Sequence, residues 1–479
     1  MTMTSPAAAS TDQILSHLKT LLDAVQEYTP ASTTERLVDR LGAHFGCPAT
    51  DVAVLTEDVP GHRYVDHDIA LQMLAEQDPQ QVLIGVGGGD MRYHNSLADL
   101  LQNSYGQPLP VAQPDFTVLP DSPATERTCL GYGIRLFHHE GQPVAVLERE
   151  ANPRRGQDIG TLEVMSPNRT TASSVLERIR ELATEHSVLR GQVITLKDSG
   201  YEQTARGITF VPRPTVREGD VILPEGTLER IKQHTLGIAQ HAEALRAQGQ
   251  HLKRGVLLYG PPGTGKTHTL RHLITEATDH TVVLLSGSSL GLVGLAAKVA
   301  RALQPAIVVL EDVDLVAGDR DLSYGPQPLL FEVMDAMDGL DGDADVTFLL
   351  TTNRVEAMEH ALTQRPGRVD LAAEIPMPEL AGRVALLHLY APDDAFSDDV
   401  VEHTAARLDG TTASLAKELI RRAVLLSTVE GTALGDEHLV RATDRLLDDS
   451  EELSRVLLGA RRPEAPESAL VAPLQFGCC

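Results

Sequence analysis

Lys266 and Thr267 close the run Gly260-Pro261-Pro262-Gly263-Thr264-Gly265-Lys266-Thr267, a G-x-x-x-x-G-K-[ST] pattern. Glycines in such a run let backbone N–H groups point inward around a phosphate, where a Cβ would stand in the way. The run lies between an apolar stretch, Val256 to Tyr259, and a helix-compatible segment reaching Ala277, with His268 directly after the threonine. Strand, loop and helix in that order bring the partial positive charge of a helix N-terminus to the same spot. Lys266 has the reach for β- and γ-phosphates, and the Thr267 hydroxyl is suited to Mg²⁺. The chemistry expected is the binding of a nucleoside triphosphate.

A second set of reactive groups lies in Ile307 to Ala317, IVVLEDVDLVA. Its apolar half reads as a buried strand. Glu311 and Asp312 emerge at the C-terminal end, where open α/β sheets bind their ligands. One acid is expected to orient Mg²⁺ through water, since that ion keeps most of its hydration shell. The other is expected to polarise an attacking water. Gly287-Ser288-Ser289-Leu290-Gly291 matches G-x-S-x-G, but no Asp/His pair stands out downstream and its strand belongs to the phosphate-loop sheet. It reads as a glycine-rich loop. His138-His139-Glu140 has no following histidine at zinc-site spacing, and the chain contains no H-E-x-x-H.

The elements that must position these groups follow from apolar periodicity. Val256 to Tyr259, Val282 to Leu285, Ala306 to Leu310, Val346 to Leu350 and Leu371 to Ile375 are five short apolar runs separated by helical segments. That alternation predicts a five-stranded parallel sheet with helices on both faces, over residues 212–378. Four helical segments follow, Glu379 to Tyr390, Asp398 to Leu408, Ala413 to Leu426 and Asp436 to Leu447, forming a small bundle over 379–450. Residues 12–211 read as an α+β region of one or two small domains. Helices are expected at Asp12 to Tyr28, Thr33 to Phe45, Asp66 to Glu76 and Thr171 to Glu185. A hairpin is expected over Cys129 to Glu148, and strands at Gln81 to Val86, Thr161 to Met165, Gln192 to Lys197 and Gly207 to Val211. Pro108 to Pro123 reads as a linker or long loop, Gly87-Gly88-Gly89-Asp90 as a plain turn, and Pro212 to Pro214 as a hinge. Residues 1–11 are expected to be disordered and 451–479 to form a tail.

Composition narrows the partners. The 479 residues carry 41 Lys+Arg against 67 Asp+Glu, a formal charge of −26. An acidic surface repels phosphate backbones, so nucleic-acid binding is disfavoured. No apolar run approaches a spanning length and no secretory leader is evident, so a membrane is not expected. Four cysteines without metal-ligand spacing fit a reducing cytoplasm.

Residues from about Val216 to Leu447 resemble an ATPase module of the AAA clade within the AAA+ superfamily. The resemblance is carried by the phosphate loop, the acid pair, Thr351-Thr352-Asn353-Arg354 at the end of the fourth strand, and Ala361 to Asp370, ALTQRPGRVD. It implies that Asp220-Val221 lie near the adenine and that Asn353 holds the attacking water. It also implies that Arg365 and Arg368 are arginine fingers and that Ala413 in the helical lid approaches the nucleotide. Three departures stand out. The acids run Glu311-Asp312 where Asp-Glu is usual, Thr412 replaces the usual glycine before Ala413, and Ser286 to Gly294 has no aromatic residue to grip a threaded polypeptide. Leu292 and Val293 are the apolar substitutes there. The expectation is an ATPase using ATP and Mg²⁺, with metal ligation by Thr267 and Glu311 and water activation by Asp312. It would form a ring, typically hexameric, and remodel a protein partner recruited by residues 12–211. The alternative is a nucleotide-gated scaffold with slow turnover.

Overall fold

The computed structural model describes residues 19–20, 35–102, 109–152, 157–196, 207–314, 332–333, 335–337, 344–354, 356 and 369–448. The first expected helix except for two residues, the ends of the chain, Arg365 and Arg368 lie outside the described residues. The chain divides into two compact units, Met1–Val188 with Ser199–Ile208, and Leu189–Asp198 with Thr209–Cys479.

The first unit is built on a seven-stranded sheet: β1 (Val54–Val59), β2 (Val82–Val86), β3 (Val111–Ala112), β4 (Asp115–Pro120), β5 (Glu126–His139), β6 (Gln142–Arg149) and β7 (Gly160–Met165). The order is β1-β7-β6-β5-β2-β3, with β4 also on β5, and its pairs are antiparallel. Helices cover both faces. On one side α1 (Leu37–Phe45) and α3 (Leu97–Leu101) bury Leu37, Leu41 and Leu97 against Ile134, Leu136 and Leu147. On the other, α2 (Tyr64–Ala75) and α4 (Arg169–Glu185) bury Leu71, Leu74 and Ile179 against Phe137, Val146 and Val164. Burial on both faces explains why β6 reads as a continuous apolar run rather than an alternation. The hairpin turns at Glu140 and Gly141, both with positive φ, +51° and +75°, which matches the right-handed twist of its strands. His138 at its tip pairs with Asp78 at 2.8 Å.

The proline-rich stretch expected as a linker instead forms β3 and β4. Three of its prolines sit at strand ends, Pro110, Pro114 and Pro120, where a missing N–H interrupts little pairing, and Pro123 lies in the turn after β4. Leu119 alternates inward from exposed Phe116 and Val118, a period-two pattern that the prolines masked.

The second unit holds a further seven strands: β8 (Val193–Leu196), β9 (Ile208–Val211), β10 (Arg254–Tyr259), β11 (Thr281–Ser286), β12 (Ala306–Glu311), β13 (Val346–Thr352) and β14 (Leu371–Glu374). They run in the order β14-β10-β13-β12-β11-β8-β9. The five expected strands are all present and parallel to their neighbours. The sheet is larger than expected because β8 adds in parallel to β11, with Val282 opposite Val193. Leu189–Asp198, expected in the first region, therefore group with this unit, where Val193 and Ile194 are buried, while Ser199–Ile208 group with the first unit. The Pro-Arg-Pro segment is a clasp rather than a free hinge. Arg213 donates to the carbonyls of Ile274, Ala277, Gly191 and His280 at 2.6–3.2 Å, capping the C-terminal end of the helix after the phosphate loop.

Around the sheet run α5 (Thr227–Lys232), α6 (Lys266–Glu276) and α7 (Val293–Ala302). The bundle comprises α8 (Leu380–Tyr390), α9 (Asp398–Arg407), α10 (Ala413–Glu430) and α11 (Asp436–Leu447), close to the expected spans. Its core joins Leu387, Val401, Leu408, Leu419, Ala423 and Leu439.

Candidate nucleotide-binding site

Register places the reactive groups on one edge of the second sheet. Tyr259, the last residue of β10, lies beside Thr352 of β13 and Glu374 of β14, and Glu311 of β12 lies beside Ser286 of β11. The loop Gly260–Gly265, the acid pair and Asn353 all leave the sheet at these C-terminal ends.

The loop requires its glycines. Gly260 has φ +149°, and a Cβ there would fall onto the Ile375 carbonyl. Gly263 has φ +79°, and a Cβ would come within 2.9 Å of Ser414 Oγ and 3.0 Å of Thr412 Oγ1. Gly265, at φ +110°, precedes the first turn of α6 and has nothing within 4 Å of its Cβ position. That is an open backbone cradle at the positive end of an eleven-residue helix. Thr264 Oγ1 donates to the Pro261 carbonyl at 2.9 Å and holds the turn.

Lys266, 6% exposed, donates from Nζ to the carbonyls of Gly260 and Pro261, each at 2.8 Å. Burial lowers its pKa, and the carboxylates of Asp312 and Asp314 work against that shift. A cation is thus held within the loop, facing two acids. The two acids of the pair separate in space. Glu311 accepts a hydrogen bond from the Thr267 side chain, while burial raises its pKa. Asp312 turns away on a left-handed backbone, φ +51°, and its Oδ1 accepts from Asn353 Nδ2 at 3.4 Å. Its N–H donates to Thr351 Oγ1 at 2.9 Å, which fixes the turn.

The remaining expected residues fall around this centre. His268 Nε2 lies 3.0 Å from the Asp220 carbonyl oxygen. The Asp220 carboxylate is paired with Arg217 at 2.9 Å, so Asp220 meets the loop's helix through its backbone, with Val221 nearly buried beside it. Ala413 opens α10, and the next residue, Ser414, donates from its N–H to the Gly263 carbonyl at 3.3 Å. The bundle therefore touches the phosphate loop directly. Pro262 completes the loop between these contacts.

Two expectations about the segment after β11 are resolved. Ser289 Oγ accepts from the Ser286 N–H and donates to the Ser286 carbonyl, both at 2.9 Å, so it is a turn serine and not a nucleophile. Val293 is 1% exposed and packs in the core, so it offers no grip. Leu292 remains half-buried.

Two residues of this region, Asp314 and Arg254, were missed from sequence, and a third, Thr412, was noted there only as a departure from the usual glycine. Asp314, 7% exposed, accepts from Thr352 Oγ1 and from the Asn353 N–H, each at 3.0 Å. Arg254, 2% exposed, anchors the start of β10 through Asp345 at 2.7 Å. Thr412, 1% exposed, sits against Gly263. A third acid two residues beyond the pair was the available signal for Asp314.

The cradle, the lysine and the Thr267–Glu311 contact are the donor set that a magnesium nucleotide needs. Among the described residues no helix is long and apolar enough to cross a membrane.

Comparison with known proteins agrees with this geometry. The signature of the "ATPase family associated with various cellular activities (AAA)" matches residues 256–377. The chain is 29% identical over 257 residues to the proteasome-activating nucleotidase of Methanocaldococcus jannaschii, covering 49% of this chain and 58% of that protein. It is 31% identical over 273 residues to the ATP-dependent zinc metalloprotease FtsH 3 of Sphaerobacter thermophilus, covering 53% and 54%. It is 27% identical over 284 residues to the 26S proteasome regulatory subunit 6A of Schizosaccharomyces pombe, covering 55% and 63%. The chain thus spans little more than half the length of these relatives. The phosphate loop and the strands on either side of it fall within the matched residues, and residues 256–377 are an ATPase domain of the AAA type.

Proposed function

We propose that this protein is a Mg²⁺-dependent ATPase that works as a ring, typically a hexamer, in the cytoplasm and remodels a protein partner recruited through residues 12–211. The observation that carries the reading is the division of labour between the acids. Glu311 is bonded to the Thr267 side chain, and Asp312 to Asn353. Thr267 and Glu311 would hold Mg²⁺, and the ion supplies charge neutralisation on the phosphates. Lys266 draws charge from the γ-phosphoryl oxygens. Asn353 orients the attacking water, and the Asp312 carboxylate takes its proton. Arg365 and Arg368 complete the site from a neighbouring subunit, since a guanidinium stays charged and can bond two phosphate oxygens at once. The names of the relatives above, a proteasome activator and a protease, support a protein as the partner.

A nucleotide-gated scaffold is the second reading, favoured by the buried Val293 and the lack of an aromatic residue over 286–294. In that case nucleotide occupancy changes partner binding, and turnover only resets it.

Phosphate release from ATP by the purified chain, with and without Mg²⁺, tests the proposal. Lys266→Ala should lose ATP binding, and Asp312→Asn should bind ATP without turning it over. Mixing Arg365→Ala with Lys266→Ala protomers should restore part of the rate. Unchanged ATP affinity in a folded Lys266→Ala variant would refute the assigned loop. No rescue on mixing, with a monomer fully active at every dilution, would remove the ring.

A further inference from the structure

We infer that Asp314 is a positioning residue for hydrolysis: its buried carboxylate fixes Asn353, and through Asn353 the reach of Asp312. The inference rests on the hydrolase reading above. Asp314 touches neither the phosphate loop nor Thr267 by hydrogen bond; its bonds run to the end of β13. Oδ1 takes two of them, from the Thr352 hydroxyl and from the Asn353 N–H, each at 3.0 Å. Thr352 Oγ1 in turn accepts from the Arg354 N–H at 3.0 Å. One carboxylate oxygen thereby holds Thr352, the last residue of β13, and Asn353 directly, and Arg354 through Thr352.

The neighbouring strand is tied by the reciprocal contact. Thr351 Oγ1 accepts from the Asp312 N–H at 2.9 Å, and Asn353 Nδ2 reaches Asp312 Oδ1 at 3.4 Å. The turn after β12 and the turn after β13 are thus stitched by four side-chain bonds within a few residues. Asp312 needs this support because its φ of +51° is a conformation that L-residues hold only when the surroundings fix it. Bonds to an ionised acceptor are the stronger kind. Asp314 is 7% exposed, so the bonds are shielded from competing water. A carboxylate that faced the phosphates would repel them. This one accepts its hydrogen bonds from backbone and hydroxyl donors, and its task is geometric.

The test is steady-state ATP hydrolysis with a double-mutant cycle. Asp314→Ala removes the acceptor and lets Asn353 shift. A misplacement of about 1 Å near a reacting group lowers rate by about 10²-fold, so kcat should fall by roughly that factor. KM for ATP should change less than about threefold, because Asp314 makes no hydrogen bond to the loop or to Lys266 and the stronger influence of the Asp312 charge on that lysine remains. Asp314→Asn keeps an oxygen for both donors and should recover most of kcat. In an Asn353→Ala background, Asp314→Ala should lower kcat little further, because the residue acts through Asn353. A merely structural role would instead give additive losses and no rescue by asparagine, and would overturn the inference, as would wild-type kcat in Asp314→Ala. Should Asp314→Ala fail to fold, Thr352→Val removes one of the two donors, and wild-type kcat in that variant overturns the inference. Absence of any turnover by the wild-type chain would overturn the hydrolase reading first, and this inference with it.

Discussion

Replacing Arg254 by methionine should destabilise the nucleotide-binding unit by about 3–5 kcal/mol, the usual effect of removing one partner from a buried ion pair. The size follows from what the guanidinium holds. Nε and Nη2 donate to the Thr235 carbonyl at 3.1 and 2.7 Å, and Nη1 donates to the Leu252 carbonyl and to Asp345 Oδ1, both at 2.7 Å. Arg254 is 2% exposed and Asp345 6%, so neither the stranded carboxylate nor the two carbonyls can turn to water. Thr235 lies in a π-helical stretch, Gln233–Gly237, and its carbonyl accepts both guanidinium bonds. A loss of about 4 kcal/mol is a large share of the roughly 5–15 kcal/mol that keeps a domain folded. At about 2–4 °C per kcal/mol for a unit of this size, the midpoint should drop by about 8–16 °C. Calorimetry reads this directly, since the chain contains no tryptophan. The double variant Arg254→Met with Asp345→Leu removes both charges and should regain most of the loss. An Arg254→Met midpoint within about 3 °C of wild type, or a double variant no better than the single, would show that packing and not the charge pair governs this site.

Gly263→Ala should weaken ATP binding while leaving the midpoint of the first unit unchanged, because the added methyl meets Ser414 and Thr412 at a φ of +79°; calorimetric titration with unchanged affinity would refute the fit between loop and bundle. The first unit should lose stability on acidification. Burial, with Arg63 and His67 nearby, depresses His62 to about 4 from its ordinary 6.5. The unfolded chain therefore takes up a proton between those values that the folded chain refuses, so stability falls as pH drops through that window. His62→Gln should flatten that slope in urea titrations between pH 4 and 6.5; an unchanged slope would assign it to other groups.

The phosphate loop, the acid pair and five strands were legible because each is local: a glycine spacing, a run of four or five apolar residues, a carboxylate at its end. The bundle helices were legible from their period, and only the end of α10 ran on, through Glu430 rather than Leu426. What escaped was non-local. Val193–Leu196 looks like any short apolar run, and nothing nearby reveals that its partner is β11, some ninety residues later. Arg254 reads as a polar residue before a strand, and only the fold brings Thr235 and Asp345 to it. Asp314 was hidden by its more prominent neighbours. The prolines flanking β3 and β4 pointed to a linker because proline's local preference was weighed without the cross-strand partners on β2 and β5.

The two strands that precede the Pro-Arg-Pro clasp also determine how this protein can be cut. A fragment beginning at Pro212, the natural choice from sequence, would discard β8 and leave β11 as a bare edge with Val282, Val283 and Leu284 unpaired along one side. An uncapped apolar edge recruits other chains, so that fragment should aggregate when produced alone. It would also lose the Gly191 carbonyl that Arg213 holds. A fragment beginning at Leu189 keeps both strands and the clasp, and is the smallest piece in which the phosphate loop should stand on an intact sheet.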